Sequence, residues 1–183
     1  MESPIVNRVV ESGLLTIDLG MFLPKESPVG FDLAEYLYMG LILKEKEFRD
    51  AMSGLDWDRY KDRLVAVHCS ADAIVPSWAY MLVASRLADV AKEAFLGTVE
   101  EMEKLQVWRA IDALDTTQFR GQRVVVKGCG DRETGPEAFL QITSKLVPVV
   151  KSLMYGEPCS TVPVFKRTAI QPSEPQSSAN QEA

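Results

Sequence analysis

The strongest constraint on how this chain can fold is a unit that occurs twice: a short apolar run, a cysteine, an acid, and a proline that opens a helix. The first copy reads Leu64-Val-Ala-Val-His68, then Cys69, Asp72 and Pro76; the second reads Val124-Val-Val-Lys127, then Cys129, Asp131 and Pro136. The spacing from Arg63 to Cys69 equals that from Arg123 to Cys129. The spacing from Cys69 to Pro76 equals that from Cys129 to Pro136. Aromatic–basic pairs, Tyr60-Lys61 and Phe119-Arg120, precede both runs. A short uninterrupted apolar run marks a strand buried on both faces, as in a parallel sheet covered by helices. The alternation predicts an α/β fold: a single layered domain with a partly parallel sheet flanked by helices, built on two strand–Cys–helix units. Parallel strands in one sheet would set both cysteines at strand carboxyl ends, on the edge where open α/β sheets hold their sites.

Other elements follow from local signals. Leu14 to Leu19 reads as a strand, Pro24 and Pro28 as a loop, and Asp32 as the cap of a helix through Met39 that Gly40 ends. Leu43 to Met52 reads as a second helix. Pro76 opens a helix to about Ala94, and Phe95-Leu96 is a short strand or a turn. Thr98 and Glu101 form a capping box for a helix to about Leu114. Pro136 opens a helix running towards Tyr155 with a kink at Pro148, and Val162 to Lys166 is a last strand whose Pro163 suits a sheet edge. Residues 1–167 form the domain; the Ser-, Gln- and Pro-rich residues 168–183 read as a disordered tail.

Composition removes several classes of function. The chain of 183 residues carries a formal net charge of −6 with scattered Lys and Arg, so it lacks the basic patch that nucleic-acid binding needs. No apolar stretch reaches the roughly 18–20 residues of a membrane span. The acidic start Met1-Glu-Ser-Pro has no apolar signal-peptide region, so the expected location is cytoplasmic. Three cysteines with no disulfide-framework spacing are then free thiols or metal thiolates.

Cys69, Cys129 and Cys159 are the candidate metal ligands, since thiolates suit zinc, copper(I) and iron–sulfur clusters. His68, Asp72, Asp131 and Glu157 are candidates for an additional ligand or for tuning the site. Against this, free cysteines ordinarily pack as small apolar residues, and no C-x-x-C pair is present. His68 directly precedes Cys69, so in an extended strand the two point to opposite faces. Gly128-Cys129-Gly130-Asp131 resembles the start of a dinucleotide loop, but Glu133 stands where the third glycine belongs. Gly128 and Gly130 leave the sulfur between them accessible. Trp78 and Tyr80, early in the helix after Cys69, are placed to wall a pocket. There is no Walker loop and no spaced Ser–His–acid set.

The runs His68-Cys-Ser-Ala-Asp-Ala-Ile-Val-Pro-Ser-Trp-Ala-Tyr80, Val125-Val-Lys-Gly-Cys-Gly-Asp131 and Met154-Tyr-Gly-Glu-Pro-Cys-Ser-Thr-Val-Pro163 resemble those of a bacterial family found mainly in Bacteroidetes, domain-of-unknown-function family 2480. The resemblance covers roughly residues 5 to 167. It implies no activity, but it implies a genetic context beside iron–sulfur cluster assembly and hence assembly proteins as partners.

The function expected from these features is that of a cytoplasmic metal- or iron–sulfur-binding accessory protein with a three-cysteine site. The alternatives are a thiol-dependent sulfur-transfer or redox enzyme, and a non-catalytic binding module with buried inert cysteines.

Overall fold

The computed structural model describes residues 7–9, 13–128, 134–157 and 160–168. The tail from 169 onward lies outside the described residues, as do Cys129, Gly130, Asp131 and Cys159. Eight strands and four α-helices follow in the order β1 (Asn7–Val9), β2 (Leu14–Asp18), β3 (Val29–Asp32), α1 (Glu45–Gly54), β4 (Leu64–His68), α2 (Ser77–Leu87), β5 (Glu93–Leu96), α3 (Val99–Asp112), β6 (Arg123–Lys127), α4 (Pro136–Leu146), β7 (Ser152–Glu157) and β8 (Ser160–Lys166). The class is α/β, as expected, with parallel strands. They belong to two sheets: β1-β2-β6-β7-β8 and β3-β4-β5. The apolar runs that become β4 and β6 are thus in different sheets. Their carboxyl ends do not share one edge, as a single sheet would require.

Within the stretch expected as one domain, two compact units separate. Unit 1 takes in Met1–Ile17, Thr116–Lys127 and Thr143–Ala183; unit 2 takes in Asp18–Asp115 and Gly128–Ile142. In unit 2 the sheet is wholly parallel, β4 pairing with β3 on one side and β5 on the other. One face carries the main core: Phe31, Phe48, Met52, Val65, Val67, Val83 and Leu87. Phe31 stacks between Tyr36 and Trp57, with ring centroids 5.7 Å apart in each case. The other face of β4, Leu64 and Ala66, is covered by Met102 of α3. That two-sided burial is why β4 reads as an unbroken apolar run. Each fully buried side chain of this size contributes roughly 1.5–3 kcal/mol.

In unit 1, β6 and β7 pair parallel, and β7 and β8 pair antiparallel with a shift between Leu153 and Met154. Pro163 lies on β8, the edge strand. The helix after Pro136 ends at Leu146, short of the expected Tyr155. The Arg167 guanidinium donates to the carbonyls of Val147 and Pro148, both at 2.9 Å, and of Val150 at 3.3 Å. It satisfies carbonyls of the segment between α4 and β7. The chain then pairs as β7, which had been read as helix. In the same way α2 stops at Leu87, and Glu93–Leu96 pairs with β4 despite its helix-forming Glu and Ala.

The repeated unit is real, and its step is 59 residues: β4 to β6 (64 to 123), α2 to α4 (77 to 136), β5 to β7 (93 to 152). The registers match, Leu64 opposite Glu93 and Arg123 opposite Ser152. So do the turns. Asp62 N–H donates to the Val90 carbonyl at 2.9 Å, and Gly121 N–H to the Val149 carbonyl at 2.8 Å. Asp62 (φ 59°) and Gly121 (φ 69°) are both left-handed. The buried residues Leu43, Phe48 and Met52 around α1 recur at the same step as Met102, Val107 and Ile111 of α3. The cysteines, however, stand 60 apart (69 to 129), as do the prolines (76 to 136). The structural step sets Cys69 against Gly128, so Cys69 and Cys129 are not equivalent positions. Tyr60-Lys61 and Phe119-Arg120, and Asp72 and Asp131, do keep the step of 59.

Candidate functional site

Each sheet has a carboxyl edge that carries chemistry. In unit 2 the edge is formed by the ends of β3, β4 and β5. Asp32, the last residue of β3, caps the 3-10 turn Leu33–Tyr36 by accepting from Ala34 N–H at 2.9 Å. The same carboxylate accepts from the Ser70 N–H at 3.0 Å and the Ser70 hydroxyl at 2.5 Å. It lies 3.9 Å from His68 Nε2. The other imidazole nitrogen, Nδ1, faces the Ala66 carbonyl at 3.4 Å. A Cβ on Gly30 would stand 3.2 Å from His68 Cε1, so the absent side chain makes room for the ring. Burial alone would push the Asp32 carboxyl up. The Ser70 hydroxyl, the N–H groups of Ala34 and Ser70, and the His68 charge outweigh it and hold the group below the usual carboxylate range. The result is an ionised carboxylate that ties three chain segments together and orients the single histidine.

Cys69 sits beside this group. Its sulfur is half-buried against the apolar core and donates to the Ala71 carbonyl at 3.6 Å. Tyr80 lies close by; burial pushes its phenol up, and Cys69 adds to the shift. Asp72 is exposed in the following loop. Trp78 packs edge-on against Phe48 at 5.9 Å, with the Arg49 guanidinium 5.3 Å from its ring. Gly128 is likewise committed to packing, since a Cβ there would fall 2.4 Å from Phe139 Cζ. Among the described residues no group of three or more His, Cys, Asp or Glu could hold a metal ion.

In unit 1 the carboxyl edge is formed by β6 and β7, adjacent and parallel, ending at Lys127 and Glu157. Lys127 Nζ lies 3.8 Å from Glu157 Oε1. Cys129 follows the first strand end by two residues, and Cys159 the second. The sequence predicts helix from Pro136 towards Tyr155, so it does not show that Cys159 follows a strand. Without β7, the relation between its flanking residues and those of Cys129 was invisible.

Two features of the unit 2 edge were missed. Asp32 was read as a helix cap only, and Ser70 was not read at all. A signal existed in the repeated string Asp18-Leu-Gly-Met-Phe-Leu23 and Asp32-Leu-Ala-Glu-Tyr-Leu37, an acid followed by an apolar turn. Asp18 caps its own turn as Asp32 does, accepting from Gly20 N–H at 2.9 Å. The Asp32 turn departs from this pattern by adding Ser70 and His68.

No helix of the described residues is long and apolar enough to cross a membrane. No curated protein matches the chain, and no solved structure does. One family matches residues 3–167, a span that takes in every strand and helix described above, and its description is "protein of unknown function". The chain therefore belongs to the DUF2480 family.

Proposed function

We propose that this chain is a cytoplasmic metal- or iron–sulfur-binding accessory protein of cluster assembly, with Cys129 and Cys159 as its central ligands. One observation carries the reading: both cysteines follow, by two residues, the carboxyl ends of strands that are adjacent and parallel. The side chains of Lys127 and Glu157, the last residues of those two strands, come within 3.8 Å of each other, so the segments that lead to the two cysteines start side by side. Glu157 supplies a carboxylate at the same edge, and Asp131 follows Cys129 closely enough to complete the set. Two thiolates and one or two carboxylates suit zinc or a cluster-bound iron.

The proposal leaves Cys69 outside the ligand set, with His68 and Asp72. Its sulfur is packed and hydrogen-bonded to a carbonyl, the state of a small apolar residue. The test is anaerobic purification followed by metal analysis and a visible absorption spectrum. Stoichiometric zinc or iron is expected in the native chain and in Cys69→Ser, and is lost in Cys129→Ser and Cys159→Ser. A metal-free native chain would sink the proposal, as would full metal retention in the Cys129→Ser/Cys159→Ser double variant.

A further inference from the structure

A cavity of about 680 Å³ opens in unit 2 at the amino ends of β4 and β5, opposite the carboxyl edge described above. The turn before β4 brings Lys61 and Arg63 to it, the turn before β5 brings Lys92, and the loop before β3 brings Lys25. These segments are tied to one another. Lys92 N–H donates to the Arg63 carbonyl at 2.9 Å. Arg63 Nη2 donates to the Ser27 carbonyl at 3.2 Å, and its Nε lies 3.3 Å from Glu26 Oε2. The charge of Arg63 is thereby matched. Lys25, Lys61 and Lys92 form no ion pair among the described residues. Glu93, next to Lys92, is held by Arg109 at 2.6 Å and Gln106 at 2.9 Å.

The lining thus holds four cations (Lys25, Lys61, Arg63, Lys92) against two acids (Glu26, Asp62), a net +2 in a chain of −6. Like charges gathered at one cavity repel, and an anion of high charge density relieves them. The facing wall is apolar: Met21, Phe22, Leu23 and Pro24. We propose that this cavity binds a small organic phosphate, its phosphoryl oxygens on Lys25, Lys61 and Lys92 and its apolar part against the wall from Met21 to Pro24. Lysine ammonium groups serve such a ligand as point charges.

The test uses the full chain with phenyl phosphate and inorganic phosphate as probes, followed by amide chemical shifts in NMR against sodium chloride of equal ionic strength. Saturable shifts at the cavity are expected, tighter for phenyl phosphate. Lys61→Glu and Lys92→Glu should each weaken binding about tenfold or more. Lys46→Glu, on the exposed side of α1 and outside the cavity, should leave it unchanged. Unsaturable shifts, or equal weakening by Lys46→Glu, would overturn the site, because the attraction would then belong to the surface at large. Tighter binding of inorganic phosphate than of phenyl phosphate would overturn the organic part of the ligand. Melting temperatures of the variants, expected to stay at the native value, keep loss of folding from imitating loss of binding.

Discussion

Asp32 shows how much one carboxylate can organise. It ends β3, caps the turn that follows, holds Ser70 after β4 and faces His68. Because these partners favour the charged form, its folded pKa lies below the unfolded value of roughly 3.9. The sign follows from linkage. The contribution of Asp32 to stability is fully present above the unfolded pKa and is lost as pH falls through the folded one. Asp32→Asn should therefore destabilise the chain at neutral pH. It should also flatten the acid limb of a plot of melting temperature against pH, while the native chain loses stability steadily below about pH 4. Parallel acid limbs in the two proteins would show that Asp32 is not ionised against these partners. The sequence disclosed the cap, because an Asp before an apolar turn is a local signal. It did not disclose Ser70 or His68 as partners, because those meet Asp32 only through the pairing of β3 with β4. The cysteine spacing misled for a related reason. A one-residue difference between the two loops made Cys69 and Cys129 look equivalent, whereas backbone register matches Cys69 with Gly128.

At the scale of elements, the strands buried on two faces and the capping box were legible. Thr98 and Glu101 exchange bonds at 2.8 and 3.1 Å as their spacing requires. What was not legible were β3 and β7, and β5 was legible only as a short strand or a turn at Phe95-Leu96; their Gly, Ala, Met and Glu residues carry weak strand propensity and form strands because a partner strand stands beside them. Two glycines follow the same logic. Gly97, just after β5, and Gly156, within β7, stand one step of 59 residues apart, with φ of 152° and 113°. A Cβ at Gly156 would fall 2.6 Å from the backbone oxygen of Ser160, which cannot move without disturbing the pairing of β7 with β8. Gly156→Ala should lower stability by about 2 kcal/mol or more. Gly54, at the end of α1, has no atom within 4 Å of a built Cβ. Gly54→Ala should be neutral or stabilising by roughly 0.5–1 kcal/mol. Chemical denaturation of both variants checks the contrast. A neutral Gly156→Ala would mean that the pairing of β7 with β8 yields readily.

The whole molecule is constrained by how its chain is threaded. The backbone passes between the units at residues 17, 115, 127 and 142, so neither unit is a continuous stretch that could be completed before the other. The sheet of unit 1 collects its strands from residues 7–18 and 123–166, which raises the loop-closure entropy that this unit must overcome alone. Unfolding should therefore be a single cooperative transition, although two separate cores exist. The positions of the tryptophans make this measurable, since Trp57, Trp78 and Trp108 all belong to unit 2. Leu153 is buried in unit 1, on β7 between Val124 of β6 and Phe165 of β8. Leu153→Ala should cost about 2–5 kcal/mol. If the units unfold together, that change shifts the tryptophan fluorescence transition of unit 2 by the same amount as the far-ultraviolet circular dichroism transition. If the fluorescence midpoint stays at its native value while the dichroism curve splits in two, the units are independent. The threaded chain would then be a connection rather than a coupling.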